Sequence, residues 1–468
     1  MEKNTTIRAE IEKYIQSEGI SMQCFADASK VNPGTLSGIL NRNPPRPISV
    51  NQLDLITEAM GLEEGSLFEM YVDECFIHSL PHWRRLRPFL LRCSELNKLD
   101  CIRSVLGYLM DDLSNVPAIF ETAEAMFEDG RHEASMLLYD CVIESEKYTH
   151  SERLAISYFR IFQIQIKDNQ RNLKAAVQFH LYRSRLPEIY ALEGLHMLSQ
   201  VFALKMQWSE MEMYADELRE LAQALYRNRN RFGDEHLELI KPLVYYYAQG
   251  HLLKASCYEF QGRYEESKQW IEGYADLSWF EGLDEEGWKV VNLHRVYAQG
   301  NRLCIEIKMG NTSAIYEYIT YLREHPDETL EGLNTLLESA NRFGYFVDAE
   351  LELFNQQLKR FWELAPEQWD THYRKHFNAF RFASFCKVYA EYYFRKGDYP
   401  KGLGQTLHCL QLSVDNSYTE HIIGCMALFE QHRNFATPEQ QQLYQSLCLG
   451  VRANEKNHAY DHSAGGYL

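Results

Sequence analysis

The side chains best suited to bind a partner are polar and basic groups between residues 28 and 53. This interval contains Lys30, Arg42 and Arg46 but no acidic residue. Its amide and hydroxyl side chains include those of Asn32, Thr35, Ser37 and Asn41. Cationic side chains bind phosphate oxygens, whereas amides and hydroxyls hydrogen-bond to the edges of bases. The chemistry that this pattern favours is nucleic-acid binding, and a merely solvated polar turn is the alternative.

Patterns that would indicate catalysis or metal binding are missing from the sequence. His372 and His376 are one helical turn apart, but neither the Glu of an HExxH motif nor a third clear ligand accompanies them. There is no Gly-rich phosphate-binding loop and no nucleophile elbow. The 11 cysteines are scattered without a CxxC pair, which favours reduced, buried thiols. We therefore expect no enzymatic activity, no metal and no cofactor.

Helix-capping residues specify the elements around the basic interval. Ser21 and Asn32 are typical N-cap residues, and Pro33 takes the first position of the helix that Asn32 starts. Ser49 and Gln52 have the spacing of a capping box, so another helix begins there. These signals predict short helices joined by a tight turn before Asn32, followed by a polar loop rich in Pro and Arg.

This arrangement resembles the Xre/lambda-repressor type of helix-turn-helix domain over roughly residues 5–70. The matching positions are Phe25-Ala26, Lys30-Val31-Asn32, Leu36, Ile39, Asn41-Arg42 and Ala59-Met60-Gly61-Leu62. In that family the second helix of the motif enters the major groove of DNA. A Gln at the start of the preceding helix contacts phosphate there; here Met22 holds that position and Gln23 follows it. The resemblance implies a DNA-binding domain over residues 1–72, with Gln23 among its contacts.

Two features count against DNA binding by this domain. Gly34 and Gly38 stand where family members usually carry long polar side chains that contact bases; such glycines either let the backbone approach the groove closely or mark a helix that has lost its base contacts. Residues 1–70 also contain ten acidic but only six basic residues, an unusual balance for a domain that binds phosphates. The acids lie mainly in the first and last predicted helices, which we expect to face away from DNA. A helix-turn-helix that no longer contacts DNA is therefore the alternative.

Composition sets limits on the whole chain. Its 468 residues, 45% of them hydrophobic, can build a large core and more than one domain. No apolar run approaches the length of a membrane span, and the charged N-terminus does not look like a signal peptide. The net charge of −18 makes DNA binding unfavourable everywhere except at a dedicated surface. We expect a cytoplasmic protein without a membrane partner.

A recurring helical unit follows from about residue 80 onward. Each copy has an aromatic-rich helix, a short turn and a second helix; the turns are centred at residues 130, 169, 206, 262, 310, 344 and 397. The unit resembles the tetratricopeptide repeat, although the turns are irregularly spaced, 34 to 56 residues apart. The predicted fold class is thus all-α, a helix-turn-helix domain followed by a tetratricopeptide-like α-solenoid. We place linking helices at residues 73–112, the repeats at 113–452 and a polar tail at 453–468.

A helix-turn-helix joined to such repeats resembles the peptide-sensing regulators of Gram-positive bacteria, the Rap, Rgg, NprR, PlcR and PrgX group. The linking helices look most like those of the phage arbitrium receptors. The resemblance implies a transcription regulator that binds double-stranded DNA, forms a homodimer and senses a short quorum-sensing peptide in the concave groove of its repeats. The alternative is a regulator whose repeats bind a protein partner and whose helix-turn-helix no longer contacts DNA.

The tetratricopeptide resemblance also implies which residues line the groove. In such a hairpin the first helix faces the groove at fixed positions before the turn glycine, here Gly344 and Gly397. The positions selected in this way, with two weaker candidates from the preceding hairpin, are Asn334, Glu338, Asn341, Arg342, Lys387, Glu391, Asn292 and Asn301. Asn side chains suit an extended peptide, because one amide can both donate to and accept from a peptide unit. A solvated polar face is the alternative.

Overall fold

A computed structural model describes residues 6–77, 82–110, 112–168, 171–228, 239–363, 372–416 and 418–464. Throughout those ranges the regular elements are helices, and no strand occurs in them. The predicted all-α class is thereby confirmed. The described residues form two compact units; the first comprises those up to Gln207 together with residues 239–240, and the second comprises residues 208–228 and those from Lys241 onward.

Within the described residues, the first unit contains twelve α-helices. These are α1 (Ile7–Glu18), α2 (Met22–Ser29), α3 (Pro33–Asn41), α4 (Val50–Ala59), α5 (Phe68–Ile77), α6 (Trp83–Glu95), α7 (Leu99–Leu109), α8 (Val116–Glu128), α9 (His132–Glu146), α10 (Glu152–Gln165), α11 (Asn172–His180) and α12 (Glu188–Leu204). Helix α2 packs on α3 and α4, and α4 packs on α6. Buried side chains from α1 through α9 belong to one continuous hydrophobic core, so α1–α5 and the helices after them are packed together.

The second unit contains the other twelve α-helices of the part of the chain that the structure describes. These are α13 (Trp208–Asn228), α14 (Leu243–Phe260), α15 (Tyr264–Ala275), α16 (Glu285–Lys308), α17 (Ile315–Glu324), α18 (Thr329–Phe343), α19 (Asp348–Glu352), α20 (Asn355–Glu363), α21 (His372–Arg395), α22 (Tyr399–Asn416), α23 (Thr419–His432) and α24 (Pro438–Ala464). Helices α14, α16, α18, α21 and α23 each pack against the next in that order. Such side-by-side stacking of helical hairpins is the arrangement of an α-solenoid.

The predicted caps around α2, α3 and α4 are confirmed. Ser21 accepts a hydrogen bond from the Cys24 amide, and Asn32 accepts one from the Gly34 amide at 2.9 Å. Ser49 and Gln52 form the reciprocal bonds of a capping box at 3.0 and 3.3 Å. Since these bonds satisfy amides that lack helical partners, they fix where each helix starts.

Most of the predicted hairpin turns are also confirmed. The five turn glycines all have positive φ angles, at Gly130, Gly262, Gly310, Gly344 and Gly397. A side chain with a Cβ atom adopts this left-handed conformation only at a cost, which explains why the sequence marks the turns with glycine. Met206 also has a positive φ, of 55°, at its predicted turn, whereas Asn169 lies outside the described residues.

The structure adds detail to the predicted linking helices and departs from the prediction at the end of the last helix. Helices α6 and α7 already form a packed pair, joined at Asn97 with a φ of 54°. At the other end, Thr437 and Gln440 cap α24 as expected, but this helix runs to Ala464 rather than ending near Arg452. The residues after Arg452 include good helix formers such as Ala, Glu and Lys, and polar composition alone does not end a helix.

In the part of the chain that the structure describes, no helix combines the length and the apolarity that crossing a bilayer requires.

Candidate functional site

The eight predicted DNA-binding residues lie on α2, on α3 and in the segment between α3 and α4. We call this set the α3 surface; it comprises Gln23, Lys30, Asn32, Thr35, Ser37, Asn41, Arg42 and Arg46. All are exposed except Thr35 and Ser37, which are half-buried. Lys30 has a φ of 55°, so it forms the left-handed residue of the turn that leads from α2 to α3. The structure therefore keeps the predicted residues at the surface.

Two contacts bring members of the α3 surface together. Arg46 donates from Nη1 to Thr35 Oγ1 at 3.3 Å, and Asn41 donates from Nδ2 to Ser37 Oγ at 3.4 Å. Gln23, by contrast, donates to Asp27 one turn further along α2. A carboxylate next to Gln23 disfavours the approach of a phosphate, so this residue is the least suited of the set to contact DNA.

The two glycines of α3 have packing partners in the structure. The Arg46 amide donates to the Gly38 carbonyl at 2.9 Å, so the segment after α3 folds back along this helix. A methyl group at position 38 would lie 3.5 Å from Cδ of Arg46, and a longer side chain would meet the arginine. A methyl group at position 34 would lie 3.2 Å from the capping oxygen of Asn32. A methyl group at position 38 would thus be in ordinary van der Waals contact with Arg46, so Gly38 lies against the arginine without a steric need for glycine.

Sequence reasoning missed the contribution of α6. Arg85 of this helix donates to the carbonyl of Ile48, where the segment between α3 and α4 ends, at 3.1 Å. Arg84 and Arg87 on the same helix are exposed. The sequence did indicate a basic helix here, because residues 82–94 contain no acidic residue. Continuous basic stretches of this kind attract phosphate groups.

Only some of the predicted peptide-binding residues lie close to one another in the structure. Five lie together on α18 and α21, and we call them the α18–α21 cluster: Asn334, Glu338, Asn341, Lys387 and Glu391. Asn334 donates to Glu338 at 2.9 Å. Burial raises the pKa of the Glu391 carboxyl; the Lys387 ammonium group opposes that rise and the Glu338 carboxylate adds to it. These side chains therefore share one charged environment, in which Lys387 and Glu391 are half-buried and Glu338 is exposed.

The asparagine amides of this cluster are committed to the protein. Asn341 donates from Nδ2 to the Val388 carbonyl at 2.9 Å and so attaches α18 to α21. The Oδ1 atoms of Asn334 and Asn341 are buried and have no hydrogen-bond partner. The two amides thus donate within the protein, whereas their Oδ1 atoms accept no hydrogen bond from the described residues. The groups that a ligand could reach directly are the exposed Glu338 and Arg342 and the half-buried Lys387 and Glu391.

Two weaker candidates have partners elsewhere. Asn301 donates to the hydroxyl of Tyr274 at 2.8 Å, a contact that joins α16 to α15. Asn292 accepts from Arg295, one turn along the same exposed helix face. The structure therefore assigns Asn301 a packing role, and it gives no support to a groove position for Asn292.

Two further residues extend the cluster. Lys308 of α16 forms an ion pair with Glu259 of α14 at 2.7 Å, and the Lys308 ammonium group also interacts with Glu338. Sequence reasoning could have found both. Lys308 lies two residues before its turn glycine, Gly310, just as Arg342 lies two residues before Gly344. Glu259 lies three residues before Gly262, just as Asn341 lies three residues before Gly344. A polar row thus crosses α14, α16, α18 and α21.

No metal centre accompanies these sites in the described residues, where no three His, Cys, Asp or Glu side chains are grouped to hold an ion. The side chains of His372 and His376 lie outside what the structure describes.

Comparison with known proteins does not identify a family for this chain. No family model matches it, and no curated protein matches its sequence. A function for the α3 surface or the α18–α21 cluster therefore has to be argued from the chemistry of their own residues.

Proposed function

We propose that this protein is a cytoplasmic transcription regulator that binds double-stranded DNA through α3 and senses a short signalling peptide with its second unit. In this proposal α1–α5 form a helix-turn-helix domain of the Xre/lambda-repressor type, and the protein acts as a homodimer. The single observation that carries the proposal is the α3 surface, where Lys30, Arg42 and Arg46 are all exposed around a capped helix.

The geometry of α2 and α3 supports DNA binding. The turn at Lys30 joins two short packed helices, and the capped N-terminus of α3 is exposed at Asn32. In helix-turn-helix proteins the N-terminal part of the second helix contacts base edges, and flanking groups contact phosphates. Arg42 and Arg46 follow α3 directly, at the place where such flanking contacts occur. Phosphate contacts would supply affinity, and Thr35 and Ser37 would contact bases.

The α18–α21 cluster supports peptide binding. Two carboxylates, Glu338 and Glu391, share it with one ammonium group, that of Lys387. Half-buried charges interact more strongly than fully hydrated ones, because less water screens them. The two carboxylates favour a cationic group on the ligand, either a basic side chain or the free N-terminus of a peptide, and Lys387 and Arg342 can pair with a ligand carboxylate.

One observation favours a second candidate function, a regulator that binds a protein partner and no longer contacts DNA. Asn32, Ser37 and Asn41 all take part in hydrogen bonds within the protein, as does Thr35 with Arg46. Side chains held in this way must exchange those bonds for contacts with bases, which lowers the net gain from each contact. The DNA-binding experiment below separates the two candidates.

The test of the proposed function is the affinity of the full-length chain for a generic 20-base-pair duplex. We expect the double variant Arg42→Ala/Arg46→Ala to bind at least about tenfold more weakly, whatever the sequence of the duplex, because it lacks two charge-assisted contacts with phosphate. Lys13→Ala is the matched control, since Lys13 is an exposed cation on α1 with 77% side-chain exposure. Equal affinities for the wild type and the double variant would refute the proposal.

A further inference from the structure

A buried carboxylate lies behind the α3 surface. Glu74 of α5 is only 8% exposed. Its Oε1 atom accepts hydrogen bonds from Nη2 of Arg8 at 3.0 Å and from Nη2 of Arg85 at 3.4 Å. One guanidinium comes from α1 and the other from α6. A single carboxylate thus holds two arginines that belong to helices far apart in the sequence.

The same two guanidinium groups also bind the backbone around the basic segment. Arg8 donates from Nε to the carbonyl of Ile39, in the last turn of α3, at 2.9 Å. Arg85 donates from Nε to the carbonyl of Ile48, just before α4, at 3.1 Å. The chain between these two carbonyls carries Arg42 and Arg46. Both ends of this segment are therefore fixed to the arginines that Glu74 holds.

A tyrosine strengthens the second of these attachments. Tyr71 is fully buried, and its hydroxyl donates to the Ile48 carbonyl at 2.6 Å. Arg85 donates to the same hydroxyl at 3.1 Å, and its guanidinium carbon lies 4.8 Å from the centre of the Tyr71 ring. Burial raises the pKa of Tyr71, so the hydroxyl stays protonated and continues to donate.

We propose that Glu74, acting through Arg8 and Arg85, positions the segment from Ile39 to Ile48 for contact with DNA phosphates. The inference rests on the proposed DNA-binding function. A segment that is already ordered loses less conformational entropy on binding than a free loop does, so fixing its ends raises affinity without adding a contact. Because Arg85 belongs to α6, the part of the protein that supports DNA binding then extends beyond α5.

The test compares two arginine-to-lysine variants on α6 in the full-length chain. Arg85→Lys keeps the positive charge beside Glu74. The single ammonium group cannot reproduce the hydrogen bonds that the planar guanidinium donates to the Glu74 carboxylate, the Tyr71 hydroxyl and the Ile48 carbonyl. Arg92→Lys is the matched control. Arg92 is also partly buried and donates to Asp54 of α4 at 3.0 Å, away from the basic segment.

We expect both variants to lose similar amounts of thermal stability. Only Arg85→Lys should bind the generic 20-base-pair duplex more weakly, by about three- to tenfold, the effect of one or two lost hydrogen bonds. Wild-type affinity in Arg85→Lys, or an equal loss in Arg92→Lys, would overturn the inference. If Arg85→Lys fails to fold, Tyr71→Phe removes only the hydroxyl and should still weaken binding.

A double-mutant cycle separates positioning from a direct contact. If Arg85 acts through the basic segment, Arg85→Lys should cost less than about twofold when Arg42 and Arg46 are already alanine. A full, additive loss in that background would show that Arg85 acts on DNA independently and would overturn the positioning role. If the wild type itself does not bind the duplex, both the proposed DNA-binding function and the positioning role are overturned. If affinity falls in Arg42→Ala/Arg46→Ala but not in Arg85→Lys, only the positioning role is overturned.

Discussion

Single side chains in both candidate sites hold the fold together as well as offering groups to a ligand. Asn32 caps α3 and lies at the exposed end of that helix. Arg46 fixes the segment after α3 through its backbone, by the bond from its amide to Gly38, and presents its guanidinium beside Thr35. In the second unit, Asn341 joins α18 to the Val388 carbonyl of α21. A substitution at such a residue changes stability and binding together.

Asn341 gives a measurable case of a structural role. Asn341→Ala removes the bond to the Val388 carbonyl, which keeps its helical donor within α21, and one intramolecular hydrogen bond contributes about 0.5 to 1.5 kcal/mol. We expect the free energy of unfolding to fall by that amount in urea denaturation. Asn292→Ala is the control, because Asn292 is exposed and bonds only to Arg295 one turn along its own helix. Equal effects of the two substitutions would show that Asn341 does not hold the helices together.

The elements could be predicted better than their contacts. Caps such as Ser21 and Asn32 and turn glycines such as Gly397 act on their immediate neighbours, so the sequence predicts where helices start and end. The partner of Asn341 stands 47 residues away in the chain. That contact depends on how α18 and α21 pack, which no local pattern specifies. The helical spacing predicted which residues form the cluster, but it could not show that their amides donate hydrogen bonds within the protein.

The same limit explains the role of α6. Arg85 looked like one basic residue in a linking helix, yet it bonds to Ile48, 37 residues earlier, and shares Glu74 with Arg8. Nothing in the local sequence around Glu74 indicates that this carboxylate is buried. The acid-free stretch of α6 was visible in the sequence, whereas the ion pairs that connect α1, α5 and α6 arise only from tertiary packing.

Helices α18 and α21 together form the surface on which a ligand can be tested. We expect peptides captured by the full-length protein from a pool of random synthetic heptapeptides to be enriched in Lys and Arg, because the Glu338 and Glu391 carboxylates can pair with cationic side chains. The variant Glu338→Gln/Glu391→Gln should lose this enrichment. Glu285→Gln is the control, since Glu285 is 86% exposed at the start of α16. Captured peptides with the composition of the input would contradict this assignment.

Across the whole molecule, the two candidate sites belong to different units. The α3 surface is in the first unit and the α18–α21 cluster is in the second. The chain as a whole carries a net charge of −18, so its body repels DNA. Binding then requires that a few cations at the α3 surface outweigh this repulsion locally. Such binding depends on displacing counterions from phosphates and must weaken steeply as salt rises.

The most direct test of the central claim is the affinity of the full-length wild type for a generic 20-base-pair duplex, measured over a range of salt concentrations. If each copy in a dimer places Lys30, Arg42 and Arg46 on phosphates, the logarithm of the association constant should fall against the logarithm of salt with a slope of about −5. Binding that does not depend on salt, or no binding even at low salt, would contradict the account and favour a regulator that acts on a protein partner.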